Sequence, residues 1–248
     1  MAGHSKWANI KHKKGVNDAR RGKLWSKLAR NIIVAAKAGG GDPTMNLSLR
    51  YAIDKAKEAN MPADTIDKAV KKGSGELGAA EYTSAVYEGY GPGGIAFIVE
   101  ALTDNPNRTA PEIKKIFEKG GGSLGPSNCV SWNFTTRGIF TVNAADTDED
   151  TLMEVALDAG AEDVTKDGDT FEVVCDVPAY ESVKTALAER NIPTQSAEIT
   201  KIPGTTIAVN AERGEKVLRL IDTFEDNDDV QNVYSNFEMS DEVMAKLG

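Results

Sequence analysis

A change of sequence pattern near residue 80 constrains the fold of this 248-residue chain most strongly. Before it, apolar residues recur at helical spacing, and glycines and prolines separate three such segments at about 17–38, 44–60 and 62–73. After it, alternating and β-branched segments take turns with shorter helical ones. The small residues of 73–80 mark a linker between the two patterns. A helical domain followed by mixed α/β domains is therefore predicted.

The acidic remainder contains an order of elements that is typical of a ferredoxin-like unit. From Gly138 to Ile202 the pattern is β-α-β-β-α-β, with a hairpin turn at Asp167-Gly168. The flanking segments supply further strands and helices, so we expect them to fold together around this insertion. The predicted fold class is α+β: an N-terminal three-helix domain followed by two ferredoxin-like α/β domains, the last inserted into the middle one. The predicted domain boundaries are 1–80, 81–134 plus 204–240, and 135–203.

Charge is distributed unevenly along the chain. Residues 1–40 carry ten Lys and Arg against Asp18 alone, a net charge of +9. Because the whole chain has a formal net charge of −9, the remainder carries −18. A block of cations repels itself unless it meets an anion, and nucleic acid is the usual partner. A solvated tail, or an arm folded onto the chain's own acidic body, is the alternative that the charges leave open.

The first expected helix places its cations along one side. At about 100° per residue, five of them fall within an arc about 100° wide. We call these five the basic ridge: Arg20, Lys23, Lys27, Arg30 and Lys37. Apolar residues such as Trp25, Leu28 and Ile32 occupy a neighbouring arc, while Arg21 falls outside the pattern. One face of this helix is therefore predicted to pack, and another to present cations.

The stretch GHSKWANIKHKKG, residues 3–15, combines cations with aromatic rings. Its lysines can neutralise phosphates, and its tryptophan and second histidine have π faces that stack on unpaired bases. We predict nucleic-acid binding by this arm, by the basic ridge and by two further arginines. The predicted contact residues are Lys6, Trp7, Lys11, His12, Lys13, Lys14, Arg20, Arg21, Lys23, Lys27, Arg30, Lys37 and Arg108.

Arg108 is the candidate outside the first 40 residues, and it lies in the stretch TDNPNRTAPE. Thr109 and Glu112 have the spacing of a capping box, which predicts a helix over about 110–119. Arg108 would then lie in the loop before a helix N-terminus, a position that can bind phosphate.

Signals for catalysis and for cofactors are weak. The stretch GYGPGG, residues 89–94, has the G-x-G-x-x-G spacing of a dinucleotide-binding loop, but a strand pattern follows it where that loop needs a helix. A hairpin turn is therefore predicted. The two histidines lack further ligands at useful spacing for a metal. We expect no enzyme activity, catalytic residue, metal, cofactor or small-molecule substrate. The enzymatic alternative is a metal-dependent nuclease that uses acidic runs such as EDNDD, residues 225–229, which we interpret as solvated.

Two features bear on where the protein works. No apolar run approaches the roughly 18 residues that span a bilayer, so no membrane partner is expected. The two cysteines have neither metal-type nor redox-type spacing and fit a reducing compartment. A cytoplasmic location is the expectation.

Five motifs resemble the YebC/PmpR family: MAGHSKWANIKHKKG, GGGDP, YEGYGPGG, DNPNRT and EDNDDVQNVYSN. The resemblance implies a helical domain plus two α/β domains, and it brings no catalytic residues. It also implies a non-enzymatic regulator of gene expression, because members are labelled probable transcriptional regulators that bind DNA. Other members, among them a mitochondrial translational activator, imply instead a ribosome-associated factor that binds ribosomal or transfer RNA and eases synthesis of proline-rich stretches. The acidic α/β domains would then contact the ribosome or the transcription machinery.

Overall fold

The computed structural model describes residues 18–78, 81–240 and 242–244. These residues form two compact units, of which the first comprises the chain up to Ser131 and from Ile207 onward, and the second comprises Trp132–Thr206. The second unit is therefore an insertion in the chain of the first. Helices followed by antiparallel sheets confirm the predicted α+β class. The finer division of the chain into three domains stays a prediction.

The first unit begins with three helices: α1 (Asp18–Gly39), α2 (Leu47–Glu58) and α3 (Ala63–Gly73). Helix α1 ends at the predicted glycines, and Gly40 has a φ of +89°, the left-handed conformation that favours glycine. Helix α2 begins later than the sequence predicts because Asn46 caps it: the Asn46 Oδ1 accepts a hydrogen bond from the Leu49 N–H at 3.1 Å.

The buried face of α1 is the apolar face that its sequence predicts. Leu28 and Ile32 pack in one core with Leu49 of α2 and Ile66 of α3, and Trp25 lies against this core half-buried. Burying a side chain of this size stabilises the fold by about 1.5–3 kcal/mol. The core therefore fixes which side of α1 carries the cations.

After residue 80, pairs of strands alternate with single helices in chain order. They are β1 (Thr83–Tyr90), β2 (Ala96–Thr103), α4 (Pro106–Lys119), β3 (Ser123–Leu124), β4 (Phe134–Asn143), α5 (Glu149–Asp158), β5 (Ala161–Asp167), β6 (Thr170–Cys175), α6 (Tyr180–Glu189), β7 (Thr194–Pro203), β8 (Ile207–Ala208), α7 (Ala211–Glu225), β9 (Val230–Ser235) and β10 (Phe237–Glu238).

The first unit contains an antiparallel sheet in the order β3-β1-β2-β9. Phe97 of β2, Phe117 of α4 and Phe224 of α7 lie fully buried in one core, and the Phe117 and Phe224 ring centroids are 4.8 Å apart in an edge-on arrangement. This core holds α4 and α7 against the sheet. The GYGPGG stretch forms the turn between β1 and β2, which confirms the predicted hairpin.

The second unit is the predicted β-α-β-β-α-β arrangement. Its sheet has the order β5-β6-β4-β7, with every pair antiparallel, and the hairpin between β5 and β6 turns at Gly168. Phe140 and Tyr180 stack with their ring centroids 4.8 Å apart in its core. The predicted order of elements and the predicted hairpin turn are therefore confirmed.

A buried carboxylate holds the segment that follows β3 in the first unit. Glu88 of β1 is 5% exposed and accepts hydrogen bonds from the backbone N–H groups of Asn128, Val130 and Ser131, each at 2.9 Å. Burial raises the pKa of Glu88, but these hydrogen bonds outweigh burial and hold the pKa below its ordinary value. The sequence pattern predicts a strand at about 129–134, and this prediction is wrong because these amides donate to a side chain instead of a neighbouring strand.

Replacing this carboxylate should weaken the first unit. We expect Glu88→Gln to lower the free energy of unfolding by about 2 kcal/mol at neutral pH, because both carboxylate oxygens accept backbone N–H groups. Glutamine keeps one acceptor oxygen, which is neutral, and its NH2 group would face at least one N–H donor. The depressed pKa means that the contribution is present above the pKa of the unfolded chain and is lost as pH falls through the folded-state pKa. Urea unfolding at neutral pH and near pH 3 measures both effects. Glu118→Gln is the control, since Glu118 is exposed and only pairs with Lys114 at 3.9 Å. An equal loss in both variants would contradict the assigned role of Glu88.

Candidate nucleic-acid interface

Part of the basic ridge contacts the chain's own acidic segment, residues 225–229, where α7 ends. The Lys27 Nζ donates to the carbonyl oxygen of Glu225 at 2.5 Å, and the Lys23 Nζ donates to that of Asp226 at 3.2 Å. Cations at this position satisfy the last carbonyls of a helix and interact favourably with the negative end of its dipole. Burial lowers the pKa of Lys27, and the nearby charge of Glu225 opposes that shift. These two ridge lysines therefore cap α7.

The third ridge contact is a charge cluster around Asp229. The Asp229 side chain is 5% exposed, and its two oxygens lie 3.0 Å from the Arg30 NH1 and 2.6 Å from the Arg108 NH2. The hydroxyls of Thr109 and Thr103 also donate to it, at 2.7 Å and 3.2 Å. Burial raises the pKa of Asp229, but the hydrogen bonds from Arg108 and Thr109 outweigh it and hold the pKa below its ordinary value. The cluster therefore joins α1, α4 and the segment after α7 through one carboxylate.

This cluster changes two interpretations of the sequence. The acidic run EDNDD is not wholly solvated, because its last residue is buried. The prediction that Thr109 and Glu112 form a capping box is wrong as well. Helix α4 begins at Pro106, and the Asn105 Oδ1 caps it by accepting a hydrogen bond from the Arg108 N–H at 3.2 Å. Thr109 therefore lies within the first turn of the helix, where its hydroxyl reaches Asp229.

The remaining predicted contacts divide into exposed and undescribed ones. Lys37 and Arg21 of α1 are exposed, and the Lys23 side chain is half exposed beside its partner. Arg20 belongs to α1, but its side chain lies outside what the structure describes. The arm candidates also lie outside the described residues: Lys6, Trp7, Lys11, His12, Lys13 and Lys14.

A shallow groove of about 380 Å³ between α1 and α3 adds cations that the sequence analysis missed. It is lined by Arg30, Lys68 and Lys72 and by no carboxylate. The Arg30 guanidinium lies 5.6 Å from the centre of the Tyr82 ring, within the range of a cation–π contact. Lys68 and Lys72 are one turn apart on α3, so the helical period of DKAVKKG could have placed them on one side.

The arrangement offers cations and an aromatic ring, which suit a polyanion. Among residues 18–78, 81–240 and 242–244, no group of three or more His, Cys, Asp or Glu side chains is placed to hold a metal ion. Within the same ranges, every helix is too short or too polar to cross a membrane.

Comparison with known proteins places the whole chain among its relatives. Residues 5–76 match the model of the TACO1/YebC protein N-terminal domain, and residues 82–237 match the model of the TACO1/YebC second and third domain. A "probable transcriptional regulatory protein" of Desulfatibacillum aliphaticivorans is 52% identical over 99% of this chain and 100% of its own length. A protein of Geobacter sulfurreducens with the same description is 50% identical over 100% of both chains.

A solved structure supports the same assignment. The crystal structure of a conserved hypothetical protein from Aquifex aeolicus superposes with a TM-score of 0.84 at 44% identity, covering 96% of this chain and 99% of that one. The family models cover well over half of the sequence, and the curated relatives align along nearly all of it. The chain therefore belongs to the TACO1/YebC family.

Proposed function

We propose that this protein is a non-enzymatic regulator of gene expression that binds nucleic acid through its N-terminal arm and the outer side of α1. The observation that carries the proposal is the division of charge, +9 in residues 1–40 against −18 in the remainder. A surface charged at random would not divide in this way, and phosphate is the anion that such a block most often meets. The names of the relatives, probable transcriptional regulatory proteins, agree with a regulatory role.

The contacts of the ridge refine the proposed surface. Lys27 and Arg30 are engaged at the end of α7, so phosphate contacts would come first from the arm and from Lys37. The groove between α1 and α3 extends the cationic surface. The acidic remainder would repel nucleic acid over most of its surface and favour first contact at this end of the chain. DNA binding, a cytoplasmic location and contact between the acidic α/β domains and the transcription machinery stay predictions.

A second candidate function is a translation factor that binds ribosomal or transfer RNA. Trp7 and His12 favour it, because rings interleaved with lysines suit the unpaired bases of irregular RNA. A DNA reader would need side chains that reach base edges, whereas the ridge supplies cations that contact phosphates and carry no sequence information.

Salt dependence tests the proposal directly. If about five to seven phosphates are neutralised, the logarithm of the binding constant should fall with the logarithm of salt concentration at a slope of roughly −4 to −6. Fluorescence anisotropy with a labelled single-stranded RNA and with duplex DNA of the same sequence measures the slope and compares the two candidate functions. Tighter binding to RNA favours the translation factor, and tighter binding to duplex DNA favours the transcriptional regulator. No binding to either probe at low salt would refute both.

A further inference from the structure

A second cationic surface lies along α7, in the part of the chain that is acidic overall. It is a groove of about 790 Å³ bounded by α7, the C-terminal end of α4 and the turn Pro92–Gly94. Its lining contains one carboxylate, from Glu212, against four cationic side chains. The four cations are Lys119, Arg213, Lys216 and Arg219.

The cations of α7 are spaced for an extended anion. Arg213, Lys216 and Arg219 recur every third residue, so they follow one side of the helix over about 9 Å of its axis. Lys216 pairs with Glu212 at 2.8 Å and Arg219 pairs with Glu215 at 2.6 Å. In each pair the two residues lie one helical turn apart on an exposed surface, where ion pairs contribute little to stability. The cations can therefore exchange a carboxylate for a phosphate at little cost in free energy.

Arg213 and Lys119 form no such ion pair, although the charge of Arg213 interacts with that of the neighbouring Glu212. Among the described residues, neither has a carboxylate within ion-pair distance. The Arg213 side chain crosses the β1–β2 turn at Gly93, where an added Cβ would lie 2.7 Å from the Arg213 Cδ. Gly93 also has a φ of +78°, a conformation that favours glycine. The GYGPGG turn therefore leaves room for an arginine at the wall of the groove.

We propose that this groove binds the phosphodiester backbone of a nucleic acid, as a contact separate from the arm and α1. Guanidinium groups match phosphate oxygens in a bidentate manner, and their regular spacing suits a repeating anion. The inference rests on the proposed function, because a polymer already held by the arm reaches the groove at a high effective concentration. A separate acidic peptide would gain no such advantage.

The test is a triple variant that removes the α7 charges, Arg213→Gln with Lys216→Gln and Arg219→Gln. The control removes three charges from the second unit by replacing Lys166, Lys184 and Arg190 with Gln. Anisotropy is measured over a range of salt with single-stranded RNA, with duplex DNA of the same sequence and with labelled polyglutamate. For whichever nucleic acid the wild-type protein binds, we expect the α7 variant to lose about tenfold or more in affinity at low salt. Its salt slope should be shallower by about 2, while the control matches the wild type.

The outcomes separate this inference from the proposed function. If the wild-type protein binds neither nucleic acid, the proposed function fails and the groove proposal fails with it. If the wild type binds but the α7 variant keeps its affinity and slope, the groove proposal alone is overturned. Loss of polyglutamate binding with unchanged nucleic-acid binding would assign the groove to an acidic polypeptide and overturn the proposal as well. Circular dichroism checks that the variants fold. If the triple variant unfolds, Arg213→Gln alone is measured instead, and we expect it to lose less affinity for the same nucleic acid.

Discussion

Asp229→Ala should lower the free energy of unfolding of the first unit by about 3 kcal/mol, the largest stability loss that we expect from a single substitution. Removing one partner of a buried ion pair costs about 3–5 kcal/mol because the other charge loses its compensation. We take the lower end because the Arg108 side chain is about half exposed, whereas Arg30 is largely buried. The hydroxyls of Thr103 and Thr109 would also lose their acceptor. Calorimetry of the transition of the first unit measures the loss.

The same acidic segment supplies the control. Asp226 lies three residues earlier, its side chain is 75% exposed, and its carboxylate is 3.8 Å from the Lys23 Nζ. Asp226→Ala should therefore change the free energy of unfolding by less than about 0.5 kcal/mol. Comparable losses of unfolding free energy in the two variants would contradict the stabilising role assigned to the buried Asp229 carboxylate.

The pH dependence of stability gives an independent check on Asp229. Its folded-state pKa is held below the ordinary value, so its contribution is present above the pKa of the unfolded chain. That contribution is lost as pH falls through the folded-state pKa. The gap in stability between wild type and Asp229→Asn should therefore be largest near neutral pH and narrow in strong acid. A gap that widens toward low pH would contradict the depressed pKa.

The second large effect concerns binding. Changing Lys11, Lys13 and Lys14 to Glu should reduce nucleic-acid affinity by more than about 100-fold at low salt, because three phosphate contacts are lost and three repulsions are added. A fold that stays intact would show that the loss is one of binding. Anisotropy with the RNA and DNA probes, and a thermal melt, measure the two properties.

The control for this variant carries the same change of charge elsewhere. We expect replacement of Lys166, Lys184 and Arg190 of the second unit by Glu to leave nucleic-acid affinity within about twofold of the wild type if binding is local. A similar drop in both variants would indicate a general effect of net charge. Unchanged affinity in the arm variant would remove the arm from the proposed surface.

Periodic features of the sequence predicted the fold well. The 3.6-residue spacing of Leu28 and Ile32 identified the buried face of α1, and glycine at position 40 marked its end. The second unit was predicted from the order of its strands and helices and from one Asp-Gly turn, which are local signals. Such signals need no information about which elements meet.

The features that the sequence could not supply depend on contacts between distant residues. Asp229 is the last of several acids in a run, and only the packing of α4 against the segment after α7 buries it. The predicted cap was Thr109, but Asn105 caps α4 and the Thr109 hydroxyl donates to Asp229, 120 residues away in the sequence. Likewise, the ridge pattern predicted a cationic side of α1 but could not show that Lys27 caps a helix 198 residues away.

Crosslinking in living cells, with sequencing of the attached nucleic acid and mapping of the attached peptides, tests the central claim most directly. We expect peptides from residues 1–40 to carry most of the crosslinked nucleotides. Ribosomal or transfer RNA attached near Trp7 and residues 11–14 would identify a translation factor, and promoter DNA would identify a transcriptional regulator. Nucleic acid recovered only at the level of an unrelated acidic protein, or attached only to residues 132–206, would contradict the proposal that this basic end is the binding surface.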